Sequence, residues 1–253
     1  MEWAYFEGGE PMLFYPLLLE GIRIARQKGF KVGVVTNAYF ATNEDNLDLW
    51  LNPLAELGVS DLSVSDDAFH HEEGDDNPAR RLMRAAKRLG VPVSSICIDA
   101  PTLDEKAALE RDKGAPIVGG SVLFKGRAVE KLTDGLPRRP WTEFTECPHE
   151  DLVKPERVHI DSYGNAQPCQ GITLGNIWKT PLSEIDKTYD PATHPICGPL
   201  VKGGPALLAT ENAINPEKSY VDACHFCYMT RKALLGRYPQ HLAPKQVYGI
   251  QQD

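Results

Sequence analysis

The chain has 253 residues, 42% of them hydrophobic and 25% charged, the proportions of a globular protein that buries a core in one large domain or a large and a small one. A formal net charge of -8, with Lys and Arg scattered along the chain, argues against nucleic-acid binding through phosphate contacts. The longest apolar stretch, Pro11–Ile24, is broken by Pro16, Glu20 and Arg23, so no segment suits a bilayer span. No basic stretch, apolar core and cleavage site open the chain, and the expected location is the cytoplasm. In such a setting six cysteines favour metal ligation over disulfides.

Short β-type runs alternate with helical ones as far as about Leu136. Trp3–Phe6 reads as an apolar strand leading into Gly8-Gly9-Glu10-Pro11. Apolar residues then recur at helical spacing from Met12 to Lys28, with Gly29 placed as a C-terminal cap. The β-branched run Lys31–Thr36 is a strand closed by Asn37. A helix over Asn43–Leu57 ends at Gly58 and feeds a strand over Leu62–Ser65. Asn77 has the residue type of a helix cap and Pro78 that of a first helical position, for a helix to Leu89 with Gly90 beyond. A strand is expected over Val91–Ile98, a charged helix over Asp104–Lys113 and a last run over Ile117–Phe124.

Strands apolar along their whole length, in regular alternation with helices, imply an α/β protein with a parallel sheet covered by helices. Ligands in such sheets bind beyond the carboxyl ends of the strands. Here those ends carry Gly8–Pro11, Thr36-Asn37, Ser65-Asp66-Asp67 and Asp99, a polar rim on an apolar sheet.

The composition changes after about Leu136, dividing the chain into residues 1–136 and 137–253. Pro137, Pro140 and Pro148 mark a linker. Arg157–Cys169 reads as a hairpin turning at Tyr163-Gly164-Asn165, Pro181–Tyr189 as a short helix, Gly198–Glu217 as irregular, and Cys224 as the opening of a last helix ending near Gly236. Cys147 and Cys169 are separate, whereas Cys224 and Cys227 form a CxxC. Four such thiols can converge on one centre, either an iron–sulfur cluster or zinc.

These motifs together resemble those of radical S-adenosylmethionine (SAM) enzymes with a C-terminal Twitch or SPASM-type domain, over nearly the whole chain. The resemblance implies a (β/α)6-type barrel followed by a small α+β cysteine-rich domain. It implies that Gly8, Gly9, Glu10 and Pro11 hold the methionyl end of SAM, Glu10 offering its carboxylate to the ammonium group, with Asn37, Ser65 and Asp67 near the nucleoside. Cys147, the Gly164-to-Cys169 spacing, the Leu174–Ile177 run and the Cys224/Cys227 pair match the order of a Twitch domain. They imply an auxiliary 4Fe-4S cluster on Cys147, Cys169, Cys224 and Cys227. Peptides, proteins or small molecules are the implied substrates, with a flavodoxin or ferredoxin as electron donor.

One departure is large. The family's CxxxCxxC loop, which binds the SAM-cleaving cluster, belongs on the strand before Trp3, where this sequence has Met1 and Glu2. The expectation is a barrel without its first strand and helix, an enzyme in full-length form and no SAM cleavage by this polypeptide alone. The competing reading is a non-catalytic metal-binding scaffold, with iron–sulfur or structural zinc. Cys97 is expected to be a small core residue, and Cys197 to be a structural thiol, a replacement for one of the four ligands, a neighbour of the cluster or a hydrogen-atom donor to a substrate radical. The run His70–Asp76 and the basic helix face of Arg80, Arg81, Arg84, Lys87 and Arg88 are expected to be solvated surface.

Overall fold

The computed structural model describes residues 1–72, 74, 76–103 and 118–250. They form two compact units, Met1–Ala100 and Pro101–Asp253, so the compositional change near Leu136 falls inside the second. The charged helix expected over Asp104–Lys113 lies outside the described residues, as does Ile117 at the head of the run that follows. No helix among the described residues is long and apolar enough to cross a membrane.

The first unit runs β1 (Trp3–Phe6), α1 (Tyr15–Gln27), β2 (Lys31–Thr36), α2 (Leu47–Glu56), β3 (Asp61–Ser65), α3 (Pro78–Arg88) and β4 (Val93–Ile96). All neighbouring strands are parallel, in the order β1-β2-β3-β4. A parallel pair needs a crossover between its strands, and each helix supplies one. Val32, Val34, Leu62 and Val64 of the two central strands are wholly buried with Ile22, Leu51, Leu54 and Leu82 of the helices. The sheet is open, with β1 and β4 at its edges; Trp3 and Tyr5 are exposed on β1.

Three boundaries differ from expectation for local reasons. The helix after β1 begins at Tyr15 rather than Met12, because Glu10 caps a separate 3-10 turn, Pro11–Phe14, by accepting from the Met12 N–H. The second helix begins at Leu47 rather than Asn43, since residues 43–46 form turns. The fourth strand ends at Ile96, and Cys97 beyond it is exposed, not a core thiol. An edge strand has a neighbour on one side only, and the chain leaves it before Cys97. The start and the stop of α3 follow the sequence: Asn77 caps the start by accepting from the Arg80 N–H, and Gly90 beyond the end takes φ +69°.

In the second unit the hairpin pairs His159–Ile160 with Asn165–Gln167, and Gly175–Asn176 adds a third strand. Asp161 ties the turn by accepting from the Tyr163 and Asn165 N–H groups and from the side chains of Asn165 and Gln167. Gly164 is required there: its φ is +80°, and a Cβ would meet the Trp178 ring at 2.3 Å. Of the stretch expected to be irregular, residues 198–211 are helical, while 212–217 form a turn and irregular chain. Cys197–Glu211 is a helix kinked at Gly203-Gly204, where Pro205 restarts it and Ala206, Leu208 and Ala209 are buried. Glycine and proline mark a break between two helical pieces rather than a loop, because Gly204 absorbs the reversal at φ +62°.

Asn77→Ala removes the cap and the bond from Asn77 Nδ2 to Asp66 Oδ1. It is expected to lower stability by about 1–2 kcal/mol in denaturant titration, and an unchanged midpoint would contradict the capping role.

Candidate functional site

The rim of the first unit is stitched together by two buried carboxylates. Glu10 accepts from the Met12 N–H at 3.0 Å, the Thr36 hydroxyl at 2.8 Å and the Asn37 N–H at 2.8 Å. It therefore joins the end of β1 to the end of β2 and uses three of about four lone-pair sites. Gly8 and Gly9, both exposed, lead into it with φ of +84° and +54°. Pro11 opens the turn that Glu10 caps. Asn37 turns its own Oδ1 to the Tyr39 N–H.

Asp67 does the same between β3 and β4. It accepts from the Phe69 N–H at 3.0 Å, His70 Nδ1 at 2.8 Å and the Ile98 N–H at 3.2 Å. Burial pushes its pKa up, but these three donors outweigh burial and hold it below the usual carboxylate value. Ser65 is buried, and its carbonyl accepts from His71 Nε2. Asp66 is turned to Asn77 and Arg80. The run from His70 is thus anchored to the rim through both histidines. The basic face of α3 is ion-paired rather than simply solvated, with Arg84 on Glu44 and Asp76 and Arg88 on Asp48.

In the second unit one cavity is lined by Cys147, Cys169, Cys224 and Cys227, together with Lys125, Glu146, His149, Glu150 and Arg231. The four thiols arrive by three different devices. Cys169 follows the hairpin, whose Gln167 accepts from the Gly171 N–H, and forms a bridge with Ile172. Cys224 and Cys227 lie in the first turns of the helix Ala223–Ala233, capped by Asp222, which accepts from the His225 N–H at 2.7 Å. A helix N-terminus favours negative charge and so favours thiolates. Cys147 follows the segment clamped by the kink: the Ala206 N–H donates to the Phe144 carbonyl, and a Cβ on Gly204 would lie 2.3 Å from the Glu146 nitrogen. All six cysteines are free thiols.

Cys197, fully buried at the start of the kinked helix, does not line the cavity. Burial pushes its thiol up to about 12. Of five candidate thiols, the four with ligand spacing in the sequence are the four that share a cavity. Burial also pushes Cys227 up to about 11, against the pull of Arg231, and raises Cys224, with Asp222 adding to the rise.

Four neighbours of the thiols, Lys125, Arg231, His149 and Asp222, were not singled out by the sequence. Lys125 donates from Nζ to Cys169 Sγ at 3.5 Å and stands 3.9 Å from Glu150. Burial pushes this ammonium group down, but the sulfurs of Cys169 and Cys224 outweigh that, and its pKa is raised. Arg231 is 1% exposed; its Nη1 donates to the Gln170 carbonyl at 2.8 Å and the Tyr248 hydroxyl at 3.2 Å, while its Nε has no hydrogen-bond partner. His149, Asp222 and Cys224 form a group whose ligand atoms all lie within 4.8 Å of one another; the cysteine sulfurs form no such group among the described residues. The one sequence signal here was Arg231, one helical turn beyond Cys227. A polar groove of about 360 Å³, lined by His149, Glu150, Asp151, Glu156 and Arg157, adjoins the cavity.

No family model matches the chain, and no curated protein matches it.

The lowered pKa of Asp67 fixes the sign of a pH effect. Its contribution to stability is fully present above the unfolded value of about 3.9 and is lost as pH falls through the lower folded value. Asp67→Asn is expected to be less stable than the native chain at about pH 6, with the gap smaller at about pH 3. Denaturant midpoints at the two pH values check this; a gap independent of pH would refute it.

Proposed function

We propose that the chain belongs to the radical SAM group and that its second unit, Twitch-like in design, holds an auxiliary 4Fe-4S cluster on Cys147, Cys169, Cys224 and Cys227. The observation that carries this reading is the convergence of four free thiols from three separate stretches of chain on one cavity that also contains two cations. Free cysteines gathered this way need a metal centre or an oxidant to give them a purpose, and the donor set is all sulfur. The buried guanidinium with an unpartnered Nε suits a site that becomes anionic when loaded.

Among the described residues no three cysteine sulfurs lie within 4.8 Å of one another, which argues against a single ion held by the four thiols. One zinc with Zn–S bonds of about 2.3 Å brings its sulfurs to within about 3.8 Å of one another. The four sulfurs are not gathered that closely, and a multi-iron core spreads its thiolates more widely. When bound, such a cluster supplies one-electron transfer. The chain's own part is to hold the thiolates, present Lys125 and Arg231, and shield the centre with the apolar packing around Ile172, Leu200 and Tyr248.

For the first unit we propose that the four-stranded sheet is part of a (β/α)6-type barrel and that its rim binds SAM. Gly8 and Gly9 keep backbone accessible, Glu10 retains lone-pair capacity for the methionyl ammonium, and Asn37, Ser65 and Asp67 stand near the nucleoside. The reaction class is radical modification of a peptide, protein or small molecule, with an electron supplied by a flavodoxin- or ferredoxin-type donor.

A second reading has a specific observation behind it. His149, Asp222 and Cys224 are close enough for one zinc ion, which would make the unit a non-catalytic metal-binding scaffold. The two readings separate in one experiment. After anaerobic reconstitution the chain is expected to carry about four irons and four sulfides, with most of both lost in Cys169→Ala and Cys227→Ala. About one zinc without sulfide, lost in His149→Ala and retained in Cys169→Ala, would replace the cluster reading by the zinc one.

A further inference from the structure

We infer that Arg231 and Lys125 are the charge-compensating residues of this centre and set its reduction potential, so that the reduced form is stabilised within a buried site. This role rests on the reading that the cavity holds a cluster.

Arg231 is among the largest fully buried side chains, and no carboxylate pairs with it among the described residues. Its oxygen acceptors are a carbonyl and a hydroxyl, both neutral, the Cys227 sulfur also faces it, and the Tyr248 hydroxyl in turn donates to the Gly171 carbonyl. The guanidinium lies 5.6 Å from the Tyr248 ring centroid and touches the chain at Gln170, the residue after Cys169. One helical turn before it stands Cys227. Arg231 thus braces both cysteine-bearing segments while carrying a charge that no carboxylate contacts directly among the described residues. A buried charge of this kind is costly unless an anion faces it. Lys125 adds a second cation, bonded to the Cys169 sulfur and close to Glu150.

Four thiolates around a 4Fe-4S core of charge 2+ leave a doubly negative centre. One-electron reduction, from a donor such as a flavodoxin or ferredoxin, adds a third negative charge and moves no proton or leaving group. A cation fixed beside the sulfurs favours the form with more negative charge, and solvent screens this little because Arg231 is buried. Removing either cation therefore lowers the potential. Arg231 has the larger effect, since Lys125 is already shared with Glu150.

The test is a redox titration of the reconstituted chain followed by electron paramagnetic resonance, on the native chain, Arg231→Met, Arg231→Lys and Lys125→Met, with iron and sulfide assayed in each. Arg231→Met is expected to cut the reduced-to-oxidised ratio at fixed potential about tenfold, a fall of about 59 mV for a one-electron couple. Arg231→Lys is expected to recover most of that ratio, and Lys125→Met to fall by a smaller factor. An Arg231→Met chain with full iron and the native potential overturns the inference and leaves the cluster reading standing. If Arg231→Met takes up no iron, Lys125→Met decides: a lowered potential supports the inference and an unchanged one overturns it. A native chain that takes up neither iron nor sulfide overturns both.

Discussion

A guanidinium buried to 1% exposure without a carboxylate partner is the constraint on which the second unit turns. An uncompensated charge in such a place costs several kcal/mol. The surrounding construction makes sense if that cost is recovered from an anion in the cavity. The helix Ala223–Ala233 points its N-terminus, with Cys224 and Cys227, at the same space. The hairpin delivers Cys169, and the glycine kink presses the segment before Cys147 into place. Burial raises the thiols of Cys224 and Cys227. Glu146 and Glu150 also line the cavity, Glu150 lying against Lys125 and Arg157, and neither carboxylate pairs with Arg231 among the described residues. Metal binding converts thiols to thiolates, and metal affinity then becomes folding free energy.

The first unit follows a related rule on a smaller scale. Its two central strands bury Val32, Val34, Leu62 and Val64, and backbone groups beyond the strand ends are gathered by carboxylates. Glu10 fastens β1 to β2, and Asp67 fastens β3 to β4. Such a rim is already polarised and largely pre-formed, which limits the ordering cost of binding a polar ligand there. It also means that Glu10 and Asp67 have structural duties whether or not a ligand is bound. Their substitution would therefore disturb both stability and binding.

Much of the first unit was legible because its signals are local. The β-branched run Lys31–Thr36 is a strand with those bounds, and the Asn77-Pro78 start of α3 forms the cap that its residue types favour. The errors came where tertiary context decides. Cys97 reads as interior from its apolar neighbours, yet it follows an edge strand and is exposed. The stretch after Gly198 reads as a loop from its glycines and proline, yet Leu200 is buried before the kink and Leu208 and Ala209 after it, and both pieces are helical. In the site, the four cysteines are legible as a set because CxxC spacing and the hairpin are encoded in short segments. Lys125 and Arg231 were not singled out, since a cation facing a thiol depends on which distant segments meet. Nor did Cys224 alone reveal its proximity to His149, which lies 75 positions earlier in the chain (224 − 149).

The most direct measurement is anomalous diffraction at the iron and zinc edges from crystals of the anaerobically reconstituted chain. We expect iron signal from a four-iron core with Cys147, Cys169, Cys224 and Cys227 as its ligands and Arg231 facing the sulfurs. A single zinc peak between His149, Asp222 and Cys224, with no iron in the cavity, would contradict the cluster and with it the assignment of this chain to radical chemistry.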